Sequence, residues 1–139
     1  MTEDTILPFL GQTRQAFFNG DMEALAKYFV WPLVVYSPAG VLVVKDQDQF
    51  LIVSGQFLAA LEEYAIVSGT CVILKREPMR NRRTRVTAHW TELTADGLPV
   101  VTSTIRYFLL MPEEGLWRIE MMEYLEIPIP IETAERIVH

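Results

Sequence analysis

At 139 residues the chain is long enough for one domain with a single core. Half of it is apolar (50%) and 11% is aromatic, a composition that excludes disorder as a global description. The formal net charge of −6 argues against general nucleic-acid binding, which needs a broad cationic footprint to neutralise phosphates.

No apolar run approaches the roughly 20 residues needed to span a bilayer. The acidic start, with Glu3 and Asp4, precedes no signal-like apolar segment, so a cytoplasmic protein without membrane contact is expected. The one cysteine, Cys71, lies among apolar neighbours; it permits neither an intrachain disulfide nor a cysteine zinc site and reads as a small buried hydrophobe.

A first helix is expected over 3–19, capped by Asp4 or Thr5, with Pro8 in the first turn and Leu10, Arg14 and Phe17 marking one face. Asn19-Gly20 stops it, because both residues tolerate the left-handed conformation. Asp21 opens a short second helix with Met22, Leu25, Ala26 and Phe29 at helical spacing, and Trp31-Pro32 ends it. The β-branched runs 33–37 and 41–44 flank Pro38-Ala39-Gly40 and read as a hairpin. Asp46 caps the longest helix, over 47–64, whose stripe is Phe50, Val53, Phe57, Leu58, Leu61 and Tyr64. Strands follow over 65–76, 82–95, 98–111 and 116–126. The tail over 127–139 alternates isoleucine and proline at first, predicting an extended, non-laddered segment docked on the chain's own surface or on a partner.

Pairing arithmetic places chemistry on the strands. A turn at 112–115 sets Leu110 opposite Trp117, Arg106 opposite Met121 and Thr104 opposite Glu123. A two-residue Asp96-Gly97 turn sets His89 opposite Thr104 and Thr87 opposite Arg106. One sheet face then gathers Thr87, His89, Thr91, Thr102, Thr104, Arg106 and Glu123, bordered by Phe108, Trp117, Ile119 and Met121. The other face carries Val86, Ala88, Trp90, Val101, Ile105, Tyr107, Leu109, Met122 and Tyr124. Glu123 stands out, a carboxylate in the apolar row of Trp117, Ile119, Met121 and Leu125, where a lone charge is costly.

The order of elements over about 3–126 resembles the nuclear transport factor 2-like superfamily, which includes ketosteroid isomerases, scytalone dehydratases and SnoaL-like polyketide cyclases. The features that carry the resemblance are the Asn19-Gly20-Asp21 break, Trp31-Pro32 before a short strand, the long helix, and the hairpin series ending in Trp117-Arg118-Ile119. It implies an α+β, cystatin-like cone: three N-terminal helices on a strongly curved, mainly antiparallel sheet, forming a domain over 1–126 with an extension over 127–139. It also implies that the face of Trp117 and Ile119 is concave and lines a pocket for a small apolar molecule. His89, Glu123 and Arg106 are then the candidate catalytic residues: His89 or Glu123 as acid/base, Arg106 as clamp on an anionic or enolate oxygen. Thr87, Thr104, Tyr36, Trp31, Phe108, Trp117 and Met121 are the candidate ligand contacts. In ketosteroid isomerases the general base comes from the region of Leu33–Ser37, which here offers no carboxylate.

The competing reading is an Arg106–Glu123 ion pair holding the fold, with His89 a satisfied core residue and the protein a non-catalytic binding or assembly module. Lys75, Arg76, Arg80, Arg82, Arg83 and Arg85 cluster around one turn and read mainly as a solvated hairpin end. No metal-ligand spacing or glycine-rich phosphate loop occurs, so neither metal nor other cofactor is expected. The apolar face of Trp90, Ile105, Tyr107, Leu109 and Met122 is expected to lie outside and pair with a second copy as a homodimer.

Overall fold

The computed structural model describes residues 5–113, 116–126 and, through their backbone, 129–130. Helix α1 spans Ile6–Phe18, and it ends in a Schellman motif. Gly20, at φ +74°, donates to the Phe17 carbonyl, and Asp21 N–H reaches back to the Ala16 carbonyl. The Asp21 carboxylate then accepts from the Ala24 N–H at 3.2 Å and caps α2, Met22–Ala26. That helix stops before the expected Trp31-Pro32. The aromatic and β-branched run from Tyr28 onward suits a strand better, and the Tyr28 carbonyl already accepts from Ile119 N–H of the sheet. Strand β1 therefore begins at Phe29 and runs through the cis Trp31-Pro32 peptide to Ser37.

Strand β2, Gly40–Val44, closes the hairpin on β1. Helix α3 spans Gln47–Glu62, with Asp46 accepting from Gln49 N–H at 3.0 Å and the Gln49 side chain accepting from Lys45 N–H at 2.7 Å. Of the expected stripe, Phe50 and Leu61 are buried, whereas Tyr64 lies beyond the helix end and is exposed.

The remaining strands are β3 (Ile66–Arg76), β4 (Arg83–Thr94), β5 (Pro99–Glu113), β6 (Leu116–Tyr124) and β7 (Ile129–Pro130). The sheet order is β2-β1-β6-β5-β4-β3; β1 and β6 are parallel and the other neighbours antiparallel. This is the expected α+β cone, three helices on a curved, mainly antiparallel sheet. Most of the tail lies outside the described residues, but Ile129–Pro130 ladders onto Val101 and Thr102, contrary to the non-laddered expectation. Proline lacks only the donor; its carbonyl remains free to pair.

Two β-bulges decide which side chains face inward. In β4–β5, Val100 is the extra residue between the Leu93↔Pro99 and Glu92↔Val101 pairs, and it restores the expected His89↔Thr104 and Thr87↔Arg106 register. In β5–β6, Glu120 is the extra residue between Leu109↔Ile119 and Phe108↔Met121. Arg106 thus lies opposite Glu123, rather than opposite Met121. The bulge also splits the row read from the sequence: Trp117 and Ile119 point into the core, while Met121 and Glu123 point away from it.

The face expected to lie outside is the core. Trp90, Ile105, Tyr107 and Leu109 are no more than 3% exposed, because the chain's own helices cover them. No second copy is needed to remove them from water, which corrects the dimer face read from the sequence. Each such side chain contributes about 1.5–3 kcal/mol on burial.

Candidate functional site

A cavity of about 560 Å³ lies between the helices and the inner sheet face. Phe17 of α1, Phe29, Leu33 and Val35 of β1, and Phe50, Val53 and Phe57 of α3 supply apolar walls. Exposed residues of the β1–β2 hairpin, Ala39 to Leu42, form the rim. Its polar lining comprises Thr13, Arg14, Ser37, Ser54, Tyr107 and Tyr124. Two of those hydroxyls are committed within their own helices: Thr13 donates to the Leu10 carbonyl at 2.7 Å and Ser54 to the Phe50 carbonyl at 2.6 Å.

Arg14 comes four residues after Leu10 and three before Phe17, on the face of α1 that packs on the sheet. Its Nη1 lies 2.8 Å from Glu92 Oε1 in an ion pair, with side-chain exposures of 12% and 3%. The guanidinium carbon lies 4.1 Å from the Trp90 ring centroid and 6.0 Å from that of Phe17. Glu92 faces inward because it continues the alternation Val86, Ala88, Trp90 along β4. Its second oxygen, Oε2, is buried without a hydrogen-bond partner. Gly69, opposite Glu92 in the β3–β4 register, leaves room for that oxygen; a Cβ there would collide with it.

Electrostatics sort these groups. Burial opposes the charge on Arg14, but the neighbouring Glu92 carboxylate, helped by a hydrogen bond to Tyr107, outweighs it and holds the guanidinium above its ordinary range. Burial pushes the Glu92 carboxyl up, and Arg14 offsets part of that rise. Burial also pushes both phenols up, so Tyr107 and Tyr124 stay protonated. Tyr107 accepts from Trp90 Nε1 at 2.8 Å, which leaves its own proton to give. The Cys71 thiol is likewise raised by burial and stays a thiol.

None of the candidate catalytic residues or ligand contacts lines this cavity, although Ile119, on the face expected to be concave, does. His89, Arg106, Glu123, Thr87 and Thr104 do share one face, but it is turned away from the helices. There His89 Nδ1 lies 3.0 Å from Thr104 Oγ1, which donates to Glu126 at 3.3 Å. Arg106 pairs with Glu123 at 2.8 Å, each side chain about a third exposed (35% and 36%). Tyr36, level with Glu123 in the parallel β1–β6 pair, is exposed. Met121 and Phe108 are paired across the same outer face. Trp31 stacks on Phe29 and against Phe50 behind the cavity wall, while Trp117 is buried and donates from Nε1 to Thr5 Oγ1 at 2.8 Å.

In the arginine cluster, Arg83 pairs with Glu120, Arg85 with Glu77, and Arg82 donates to the Met111 and Pro112 carbonyls. Among the described residues no group of three His, Cys, Asp or Glu side chains gathers as a metal set, and no helix is long and apolar enough to cross a membrane.

A family model described as NTF2-like protein (DUF6841) matches residues 4–124. The chain belongs to that NTF2-like family. No curated protein matches it. Among solved structures it is similar to an NTF-2 like protein of unknown function from Shewanella oneidensis MR-1, at TM-score 0.69 and 17% identity, covering 91% of this chain and 100% of that one. A cystatin-like domain of unknown function from Nostoc punctiforme PCC 73102 aligns at TM-score 0.70 and 14% identity, over 98% of this chain and 83% of that one. A ketosteroid isomerase-like protein from Erwinia carotovora atroseptica SCRI1043 aligns at TM-score 0.57 and 15% identity, over 91% and 98%. At these identities the likeness is one of fold.

Proposed function

We propose that this NTF2-like protein holds one small apolar molecule inside the cone, in the manner of SnoaL-like pocket proteins, with the ligand's polar end at Arg14, Tyr107 and Tyr124. The observation that carries this reading is the cavity itself: apolar walls with a few polar groups converging at one end, the general form of a small-molecule site. Among the described lining residues there is no carboxylate and no imidazole. The cavity's described lining offers hydrogen-bond donors and a fixed positive charge but no side chain suited to general-base work near neutral pH. That balance favours ligand binding over cofactor-free isomerase, dehydratase or cyclase chemistry.

Equilibrium dialysis with naphthamide and decanamide tests the reading, on the native chain and on Ser54→Phe, which fills the cavity from α3. Saturable binding to the native chain, lost in a variant that still melts cooperatively, is the expected result. Equal binding to both proteins would place the ligand elsewhere and sink the reading.

A further inference from the structure

Arg14 carries the only formal charge among the described residues that line the cavity, in a chain whose net charge is −6. Its ion pair with Glu92 is a one-point contact: Nη1 meets Oε1, whereas Oε2 turns into the space left by Gly69 and finds no donor. Arginine presents five N–H donors and commonly grips a carboxylate through two of them, so this guanidinium has donor capacity that Glu92 does not use. The Trp90 and Phe17 rings lie against it and direct its remaining donors along the edge of the plane. Beside it, Tyr107 spends an acceptor position on Trp90 Nε1 and keeps its proton for an acceptor. The polar end of the cavity therefore presents donors and one positive charge.

We infer that the ligand is an apolar molecule bearing a single carboxylate, seated on Arg14 and the Tyr107 and Tyr124 hydroxyls, with Glu92 as the residue that positions the guanidinium. This rests on the small-molecule reading above and narrows it. A neutral carbonyl satisfies the hydrogen bonds but leaves a buried cation balanced only by a one-point partner. A carboxylate supplies both the second acceptor set and the negative charge. A phosphate monoester brings about −1.5 to −2 charge against a single cation and fits less well.

The test compares naphthoate and decanoate with their primary amides by calorimetric titration. The proteins are the native chain, the Arg14→Met/Glu92→Met double variant and Tyr107→Phe, each checked for folding by circular dichroism. The native chain is expected to bind each carboxylate at least about tenfold more tightly than its amide, equivalent to about 1.4 kcal/mol. In the double variant the preference disappears because carboxylate affinity falls much further than amide affinity; in Tyr107→Phe, which keeps the ion pair, it shrinks. Native amide affinity equal to carboxylate affinity overturns the carboxylate inference and leaves the pocket reading standing. A preference that survives the double variant, or one that Tyr107→Phe leaves untouched, also overturns it. Binding of neither class to the native chain overturns both readings.

Discussion

Arg14 of the first helix and Glu92 of the fourth strand meet at 2.8 Å beneath the cavity, one oxygen of the carboxylate engaged and the other against the bare backbone of Gly69. This pair joins the helical layer to the sheet and sets the charge of the cavity's polar end. The two roles respond differently to mutation.

Removing one partner strands the other in a largely buried site. Arg14→Met is expected to cost about 3–5 kcal/mol in urea unfolding, since breaking a buried pair leaves an uncompensated charge. Removing both, in Arg14→Met/Glu92→Met, should recover most of that loss because two apolar side chains of similar length take the space. A double variant as unstable as the single one would contradict the account.

Gly69 tests the geometry of the same pair from the other side. A Cβ at this position collides with Glu92 Oε2, so Gly69→Ala should destabilise by about 1–3 kcal/mol through overpacking. In a Glu92→Ala background the obstacle is absent and the cost should fall well below that. Additive effects of the two substitutions would show that the carboxylate does not occupy this space.

The pH dependence has a definite sign. Burial raises the folded-state carboxyl of Glu92 above its unfolded value, so the folded state holds this proton longer than the unfolded chain does. Its contribution to stability is fully present below the ordinary carboxylate range and is lost as pH rises through the raised value. Melting temperatures of the native chain, measured relative to Glu92→Gln across the acid range, should therefore decline with increasing pH. A difference that grows with pH would mean that Arg14 lowers this carboxyl more than burial raises it.

The outer-face constellation behaves as surface chemistry. Arg106 and Glu123 are each about a third exposed, so screening holds their pair to about 0–1 kcal/mol. Glu123→Gln and His89→Ala should change stability little and leave naphthoate and decanoate affinity within about twofold, well inside the 1.4 kcal/mol that a tenfold change represents. Loss of binding in either variant, with melting unchanged, would return the site to that face.

The same residues explain how far the sequence could be read. Helix caps at Asp21 and Asp46, the Asn19-Gly20 stop and the two-residue side-chain alternation are local signals, and they yield the cone and the sharing of one face by His89, Thr104 and Arg106. The bulge at Glu120 carries no local turn residue to announce it, and it reverses Trp117 and Ile119 relative to Glu123. The face with the most apolar side chains was the one the helices cover, so the polar set fell outside. A usable signal for the cavity was nevertheless present. Glu92 follows Val86, Ala88 and Trp90 at two-residue spacing, and Arg14 sits between Leu10 and Phe17 on an apolar helix face. A buried charge on one element calls for its opposite on another.

The most direct test of the ligand cavity is heteronuclear NMR of the native chain titrated with naphthoate. The account predicts saturable shifts at the Arg14 side chain, the Tyr107 and Tyr124 rings and the Phe57 backbone, with His89, Arg106 and Glu123 unmoved. Shifts confined to the outer-face residues, or none at saturating probe, would contradict it.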